Sequence, residues 1–340
     1  MGKETVTSFD VAQRAGVSQS AVSRVFSPGA SASPKMAEKV KKAADELGYR
    51  PNVLARSLIT GNSKIIGLVV AYFDNQFYPE AVEKLSKALQ VEGYHVLVFM
   101  ASNGDNIDKL MQDLLDYQVE GIVLASVAVS SDLAARCDAV GVPVVLFNRR
   151  QDDDRFSSVT STNYEGGRKI AEFLIAGKHE RIAHIAGWEG ASTQRDREAG
   201  FMSKMEEEGV TLFAREVGNF QFDETQEATR QMFNRDIVPD AIFVTNDHMA
   251  IAVMECLRDE FKLKIPQDVS IIGYDDVEIA SWPSFSLTTI RQPANRMVDA
   301  TVSTLMKRIR GEDITPQKIE IDSPLMIRKS ARVPHKWVEE

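Results

Sequence analysis

The chain has 340 residues, 44% of them hydrophobic and 26% charged, with a formal net charge of −9. That length exceeds one ordinary domain, and the balance of apolar and charged residues fits a soluble globular protein and argues against a disordered chain. No uncharged apolar run approaches the ~20 residues a membrane span requires, and Met1-Gly2-Lys3-Glu4-Thr5 opens into polar sequence with no apolar signal core, so neither a membrane anchor nor export is expected. Cys137 and Cys256 are too few for a disulfide framework and read as packing residues in a reducing cytoplasm.

Charge is uneven. Residues 1–62 carry nine Lys/Arg against five acids, a local charge of +4, which leaves −13 on the rest. A small basic head on an acidic body is the asymmetry expected when only the head meets a polyanion. Within the head, Thr7 is an N-cap candidate, with Asp10 at the third helical position facing the exposed amides. Val11, Ala12 and Ala15 then give an apolar face and Gly16 a stop. Ser18 can cap a second helix, Gln19 to about Phe26, with Ala21, Val22 and Val25 inward and Gln19, Ser20, Ser23 and Arg24 outward. Such a pair is a helix-turn-helix pattern, whose second helix enters the major groove. Ser33 as cap and Pro34 at the first position open a third helix that runs to Leu47 and closes at Gly48.

The string VTSFDVAQRAGVSQSAVSRVF, followed by VKKAADELGYRPNVLARSLITG, resembles the lac repressor (LacI/GalR) family of bacterial transcription regulators, and the likeness continues more loosely to about Arg332. The resemblance implies that Gln19, Ser20 and Arg24 read base edges, Gln suiting adenine and Arg guanine, while Thr7, Ser18, Ser23 and Ser33 hold phosphates and set register. Met36-Ala37 stands where relatives often carry Thr-Arg, which removes two backbone contacts. Asn52 can cap a short helix over Val53–Leu58, which by itself is marginal in water. The resemblance makes this segment a hinge that folds on operator, with Asn52 and Arg56 against DNA and Leu58 wedged between base pairs in the minor groove.

From Lys64 onward, apolar runs at 64–70, 95–100, 121–125, 143–147, 181–187, 241–245 and 269–274 alternate with helical patterns, the grammar of parallel sheets covered by helices. The expected fold is therefore an all-α helix-turn-helix head and, by the resemblance, a two-lobed α/β core like periplasmic sugar-binding proteins, built on doubly wound parallel sheets. The expected domains are 1–50 for the head, 51–62 for the hinge and 63–340 for the core. Within the core, one lobe takes about 63–162 and 293–322, and the other about 163–291 and 323–332, with crossovers near 161–164, 290–293 and 321–325.

Ligands of open parallel sheets bind beyond the carboxyl ends of the strands. Phe77, Tyr78, Ser126, Asn148, Arg149, Trp188, Asn246, Asp247, Asp275 and Asp276 follow the runs and mark a cleft. The resemblance adds Arg197 in STQRDREAGF as the arginine that reaches the effector, Asp275 as the carboxylate opposite, Asn246 as the amide beside it and Phe220 as an aromatic platform. Arginine, amide and carboxylate together suit vicinal hydroxyls. Ala125 departs from sugar-responsive relatives that place a polar residue there. Arg149 and Arg195 are read as surface charge; facing inward, they would favour an acidic or phosphorylated sugar.

The chain lacks GxGxxG after a strand, GxxxxGK[ST], HExxH and GxSxG, which argues against an enzyme on the same sheets. Asp152-Asp153-Asp154 reads as a solvated loop, because consecutive acids on a regular element cannot face one ion. The basic head and the missing signal core argue against an exported sugar-binding protein. The expected function is a cytoplasmic, nucleoid-associated regulator, a homodimer on double-stranded operator DNA. It is switched by a small sugar-like effector, alternatively an acidic or phosphorylated sugar or a nucleobase, with no cofactor, metal or membrane. The tail after Arg332 has no leucine heptads, so a tail-driven tetramer is not expected.

Overall fold

A computed structural model describes residues 6–26, 31–50, 62–101, 107–127, 131–151, 154–313 and 315–337. They fall into two compact units divided between Ser63 and Lys64. The hinge segment, with Asn52, Arg56 and Leu58, and the acidic pair Asp152 and Asp153 lie outside the described residues.

The first unit holds α1 (Ser8–Ala15), α2 (Gln19–Phe26) and α3 (Pro34–Leu47). Val11, Ala12, Val22, Val40, Ala43 and Ala44 form its core. The ends follow from local chemistry. The Thr7 amide and hydroxyl both donate to Asp10 Oδ2, at 2.8 and 2.7 Å, Ser33 Oγ accepts from the Met36 amide, and Gly16 and Gly48 close α1 and α3 at φ 66° and 67°.

The second unit contains two six-stranded sheets. The first comprises β1 (Ile65–Ala71), β2 (His95–Ala101), β3 (Gly121–Ala125), β4 (Val144–Phe147), β5 (Ser157–Ser161) and β11 (Lys318–Ile321). Their spatial order is β11-β5-β4-β3-β1-β2, all parallel. The second comprises β6 (Ile182–Ala186), β7 (Ala214–Val217), β8 (Ala241–Val244), β9 (Ser270–Asp275), β10 (Thr288–Arg291) and β12 (Leu325–Met326). Its order is β12-β10-β9-β8-β6-β7, with β12 alone antiparallel. Central strands such as β3, β4, β6, β8 and β9 are buried throughout, which is why they read as continuous apolar runs.

Among the described residues, seven helices cross over between strands: α4 (Phe77–Val91), α5 (Ile107–Asp116), α6 (Ser131–Ala139), α7 (Asn163–Ala176), α8 (Ser192–Glu207), α9 (Phe222–Phe233) and α10 (Asp247–Asp259). An eighth, α11 (Ala294–Ile309), packs against α4, β4 and β5. The chain passes between sheets three times, after β5, after β10 and between β11 and β12. In each sheet the winding reverses beside the first strand, between β1 and β3 and between β6 and β8. Those reversals open crevices at the strands' carboxyl ends, where loops lead away in opposite directions.

Candidate functional site

Both crevices open onto one narrow cavity of about 10 Å³, lined by Tyr72, Asn75, Tyr78, Ser126, Asn148, Thr193, Arg197, Phe220, Asn246 and Asp275. Tyr72 and Asn75 follow β1 and Ser126 follows β3; across the cavity, Asn246 follows β8 and Asp275 ends β9. Tyr72, Ser126, Asn148, Phe220 and Asp275 all have left-handed backbones, with φ of 57°, 62°, 56°, 63° and 126°. Non-glycine residues persist there only where surroundings enforce them, and such residues gather at binding sites.

Arg197 is held through all three of its side-chain nitrogens. Its Nε donates to Asn163 Oδ1 at 2.8 Å, Nη1 to the Thr245 carbonyl at 2.8 Å, and Nη2 to Asp275 Oδ1 at 3.3 Å, while its guanidinium lies 3.6 Å from the Tyr274 ring centroid. Asp275 also accepts from Gln292 Nε2 at 2.7 Å and, from the other side of the cleft, from Asn75 Nδ2 at 3.0 Å. Ser161 Oγ donates to Gln292 Oε1 at 3.2 Å, and Asn163 Nδ2 donates to the Ser161 carbonyl. One buried network therefore joins the cavity to the first two passages between sheets, through Ser161 and Asn163 at one and Gln292 at the other. Asp276 turns away and is held by Arg291 and Arg328.

Close helix packing sets Arg197 in place. A Cβ on Gly200 would stand 1.9 Å from the Tyr164 carbonyl oxygen, so only glycine lets α8 lie this near α7. Phe220 similarly lies over Gly187, where a Cβ would meet the ring at 2.1 Å. Its ring meets Tyr72 edge-on across the cleft, with centroids 5.3 Å apart.

Beneath the cavity, Asp247 accepts from Thr289 Oγ1 at 2.6 Å and the Val277 amide at 3.0 Å. Burial, then the nearby Asp275 carboxylate, pushes its pKa up to about 8. Burial raises Asp275 too, against the pull of Arg197. An acid whose folded pKa is raised contributes stability fully below its unfolded value, near 4, and loses it as pH rises through about 8. Asp247→Asn is thus expected to remove a stability slope of up to ~1.4 kcal/mol per pH unit between about pH 5 and 7.5. Denaturant melts of both proteins across that range check it; parallel curves would contradict a protonated Asp247.

Most residues singled out in the sequence meet here: Tyr78, Ser126, Asn148, Arg197, Phe220, Asn246 and Asp275 all line the cavity. Phe77 does not. It opens α4 facing the core, 2% exposed, its ring stacked on Phe147 at 6.1 Å, so its position after the strand is a packing position. Tyr72, Asn75 and Thr193 line the cavity without having been singled out. Tyr72 directly follows β1, and that adjacency was the available signal. Asn246 Oδ1 also caps α10 by accepting from the Met249 amide. Arg195 is outward, donating to the Glu189 and Gly190 carbonyls, whereas Arg149, read as surface charge, is buried.

In the first unit, Ser18, Gln19, Ser20, Ser23 and Arg24 are exposed along one face of the helix pair. Gln19 Nε2 donates to Ser8 Oγ at 2.9 Å, and Arg24 Nε donates to the Ser20 carbonyl at 3.3 Å. Ser18 Oγ accepts from the Ala21 amide, so Ser18, like Thr7 and Ser33, sits at a helix start.

Residues 9–52 match bacterial regulatory proteins, lacI family, and residues 171–331 match the periplasmic binding protein-like domain. The ribose operon repressor of Escherichia coli (strain K12) is 32% identical over 96% of this chain and 99% of its own length. The chain belongs to the lacI family of bacterial regulatory proteins. Among solved lacI-family structures, the lac repressor dimer bound to operator and the anti-inducer ONPF is similar at 28% identity and TM-score 0.86, over 96% of this chain and 99% of that one. The complex of the transcriptional regulator CelR with cellobiose is similar at 30% identity and TM-score 0.73, over 96% and 100%. The helical unit is thus a lacI-family DNA-binding region, and the two-sheet unit is the periplasmic-binding-protein-like core. No described helix is long and apolar enough to cross a membrane.

Proposed function

We propose that this lacI-family protein represses an operon for uptake or breakdown of a small sugar-like compound, which it senses in the cavity between the two sheets. The network joining Arg197 and Asp275 to Ser161, Asn163 and Gln292 carries the reading. A ligand that competes for Arg197 and Asp275 pulls on groups that also hold the passages between lobes, and so changes the angle between them. The named relatives support the ligand class, one repressing a ribose operon and another solved with cellobiose.

In this reading the chain binds and switches and is not an enzyme. It works in the cytoplasm, at the nucleoid, as a homodimer whose two heads read halves of a near-palindromic operator. Thr7, Ser18, Ser23 and Ser33 hold phosphates, while Gln19, Ser20 and Arg24 face base edges; Asn52, Arg56 and Leu58 complete the DNA surface. Linkage makes the coupling reciprocal, typically ~1–3 kcal/mol, so effector and operator alter each other's affinity by the same factor.

Selection of the preferred duplex from a random DNA library, followed by anisotropy titration with and without a sugar panel, tests this reading. A near-palindromic site is expected, with log affinity falling linearly with log salt at a slope of about −0.9 per phosphate neutralised. At least one sugar should shift affinity roughly 5–150-fold. A flat salt response, or an operator affinity identical in saturating amounts of every sugar that binds, would remove the regulatory reading.

A further inference from the structure

Arg149 is 2% exposed, and its Nε and Nη2 have no hydrogen-bond partner. Its guanidinium lies 5.7 Å from the Tyr72 ring centroid and 5.4 Å from that of Trp188, between rings from the two lobes. Tyr72 lines the cavity, and the field of Arg149 reaches Tyr78, which also lines it. The neighbouring arginines are matched. Arg197 uses all three nitrogens on protein acceptors, and Arg150 forks onto Asp196 at 2.8 and 2.6 Å.

A guanidinium cannot shed its proton at any relevant pH. Aromatic faces attract a cation but leave its N–H groups unfilled. A buried charge that keeps open donors therefore calls for an acceptor that arrives from outside. Nε and Nη2 form one edge of the guanidinium, and that edge matches two oxygens of a carboxylate or phosphate in parallel. Beside it, Asn148 Oδ1 is also buried without a partner, an acceptor that suits a hydroxyl.

We propose that Arg149 is an anion-binding residue of the cleft, so that the effector is a small polyhydroxy compound carrying a phosphate or a carboxylate. The anion meets Nε and Nη2 between Tyr72 and Trp188. The hydroxyls reach Asn148 on one side and Arg197 with Asp275 on the other. This assignment rests on the reading of the cleft as the effector site.

The test titrates the full-length protein, by calorimetry and thermal shift, with matched sugars: ribose and ribose 5-phosphate, glucose, glucose 6-phosphate, gluconate and glucuronate, with inorganic phosphate alongside. An anionic member is expected to bind at least about tenfold tighter than its neutral parent and to weaken with salt. The phosphate and carboxylate arms tell which anion is recognised. In Arg149→Gln that advantage, tenfold or more, should be lost with the neutral parent unaffected, and Tm without ligand should hold or rise, because Nε and Nη2 of the removed cation had no hydrogen-bond partner. Arg149→Lys keeps the charge without the fork and should retain part of the advantage. Tighter binding of neutral parents, no binding by any anionic member, or an unchanged anion affinity in Arg149→Gln would overturn the assignment. So would a loss equal for neutral and anionic sugars together with a lowered Tm, which would mark Arg149 as a packing residue. Neutral sugars that bind and shift operator affinity would, in those cases, leave the effector cleft standing.

Discussion

Arg197→Ala is expected to abolish the effect of ligand on operator affinity and to lower Tm by roughly 5–10 °C. The first effect follows from position, because Arg197 lines the cavity opposite Tyr72 and Ser126. The second follows from partners. Asn163, the Thr245 carbonyl and Asp275 each lose a charged donor, and Tyr274 loses the cation on its face. Removing one member of a buried ion pair costs about 3–5 kcal/mol, because the other charge is left uncompensated. Here Asn75 and Gln292 still donate to Asp275, which holds the loss toward the lower end. Arg197→Lys keeps the charge but cannot reach three acceptors in one plane, so it should also lose the response with a smaller fall in Tm. Ligand-free operator affinity should stay within about threefold at a temperature where the variant is folded, since the DNA-binding unit packs its own core. An unaltered dose–response in anisotropy titrations removes Arg197 from the site.

The double variant Gln19→Ala/Arg24→Ala is expected to lose roughly 10²–10⁴-fold in operator affinity, at ~1–3 kcal/mol for each bidentate base contact. Both side chains are exposed on α2 and outside the head's core. Their hydrogen bonds to Ser8 Oγ and the Ser20 carbonyl are exposed and exchangeable for DNA, so the melting of the head should not change. The single variants should each flatten discrimination at their own base pair, which titration against singly substituted operators reads directly. A uniform loss across all substituted operators would instead make both residues phosphate contacts. Thr7, Ser18 and Ser33 are poorer test positions. Each also serves a helix start, so replacement costs ~0.5–2 kcal/mol of helix stability besides any phosphate contact.

Much of the architecture is legible in the sequence because its causes are local. The caps at Thr7 and Ser33 and the glycines at 16 and 48 are set by neighbours within a few residues. Strands buried on both faces, such as Gly121–Ala125 and Ala241–Val244, are necessarily apolar runs. The strands that escaped are short or polar, as with Ser157–Ser161, Ala214–Val217 and Lys318–Ile321. β7 lies at an edge of its sheet and β5 and β11 together close one end of theirs, so pairing rather than side-chain pattern defines them. Phe77 and Tyr78 differ for a similar reason, since consecutive helical positions point about 100° apart and only one faced the cavity.

The sequence by itself determined the family, the helix pair, the alternation that builds two parallel sheets and the chemical types gathered at their carboxyl ends. Only the tertiary structure decided which of those groups are satisfied. Asp275 and Asp276 are adjacent in the chain, yet one faces Arg197 and the other is held by Arg291 and Arg328. Arg149 and Arg195 read alike as letters, yet one is buried with open donors and the other spends its donors on surface carbonyls. Charge and residue type are properties of a position, whereas desolvation and partnership depend on segments tens to hundreds of residues away that fold onto it.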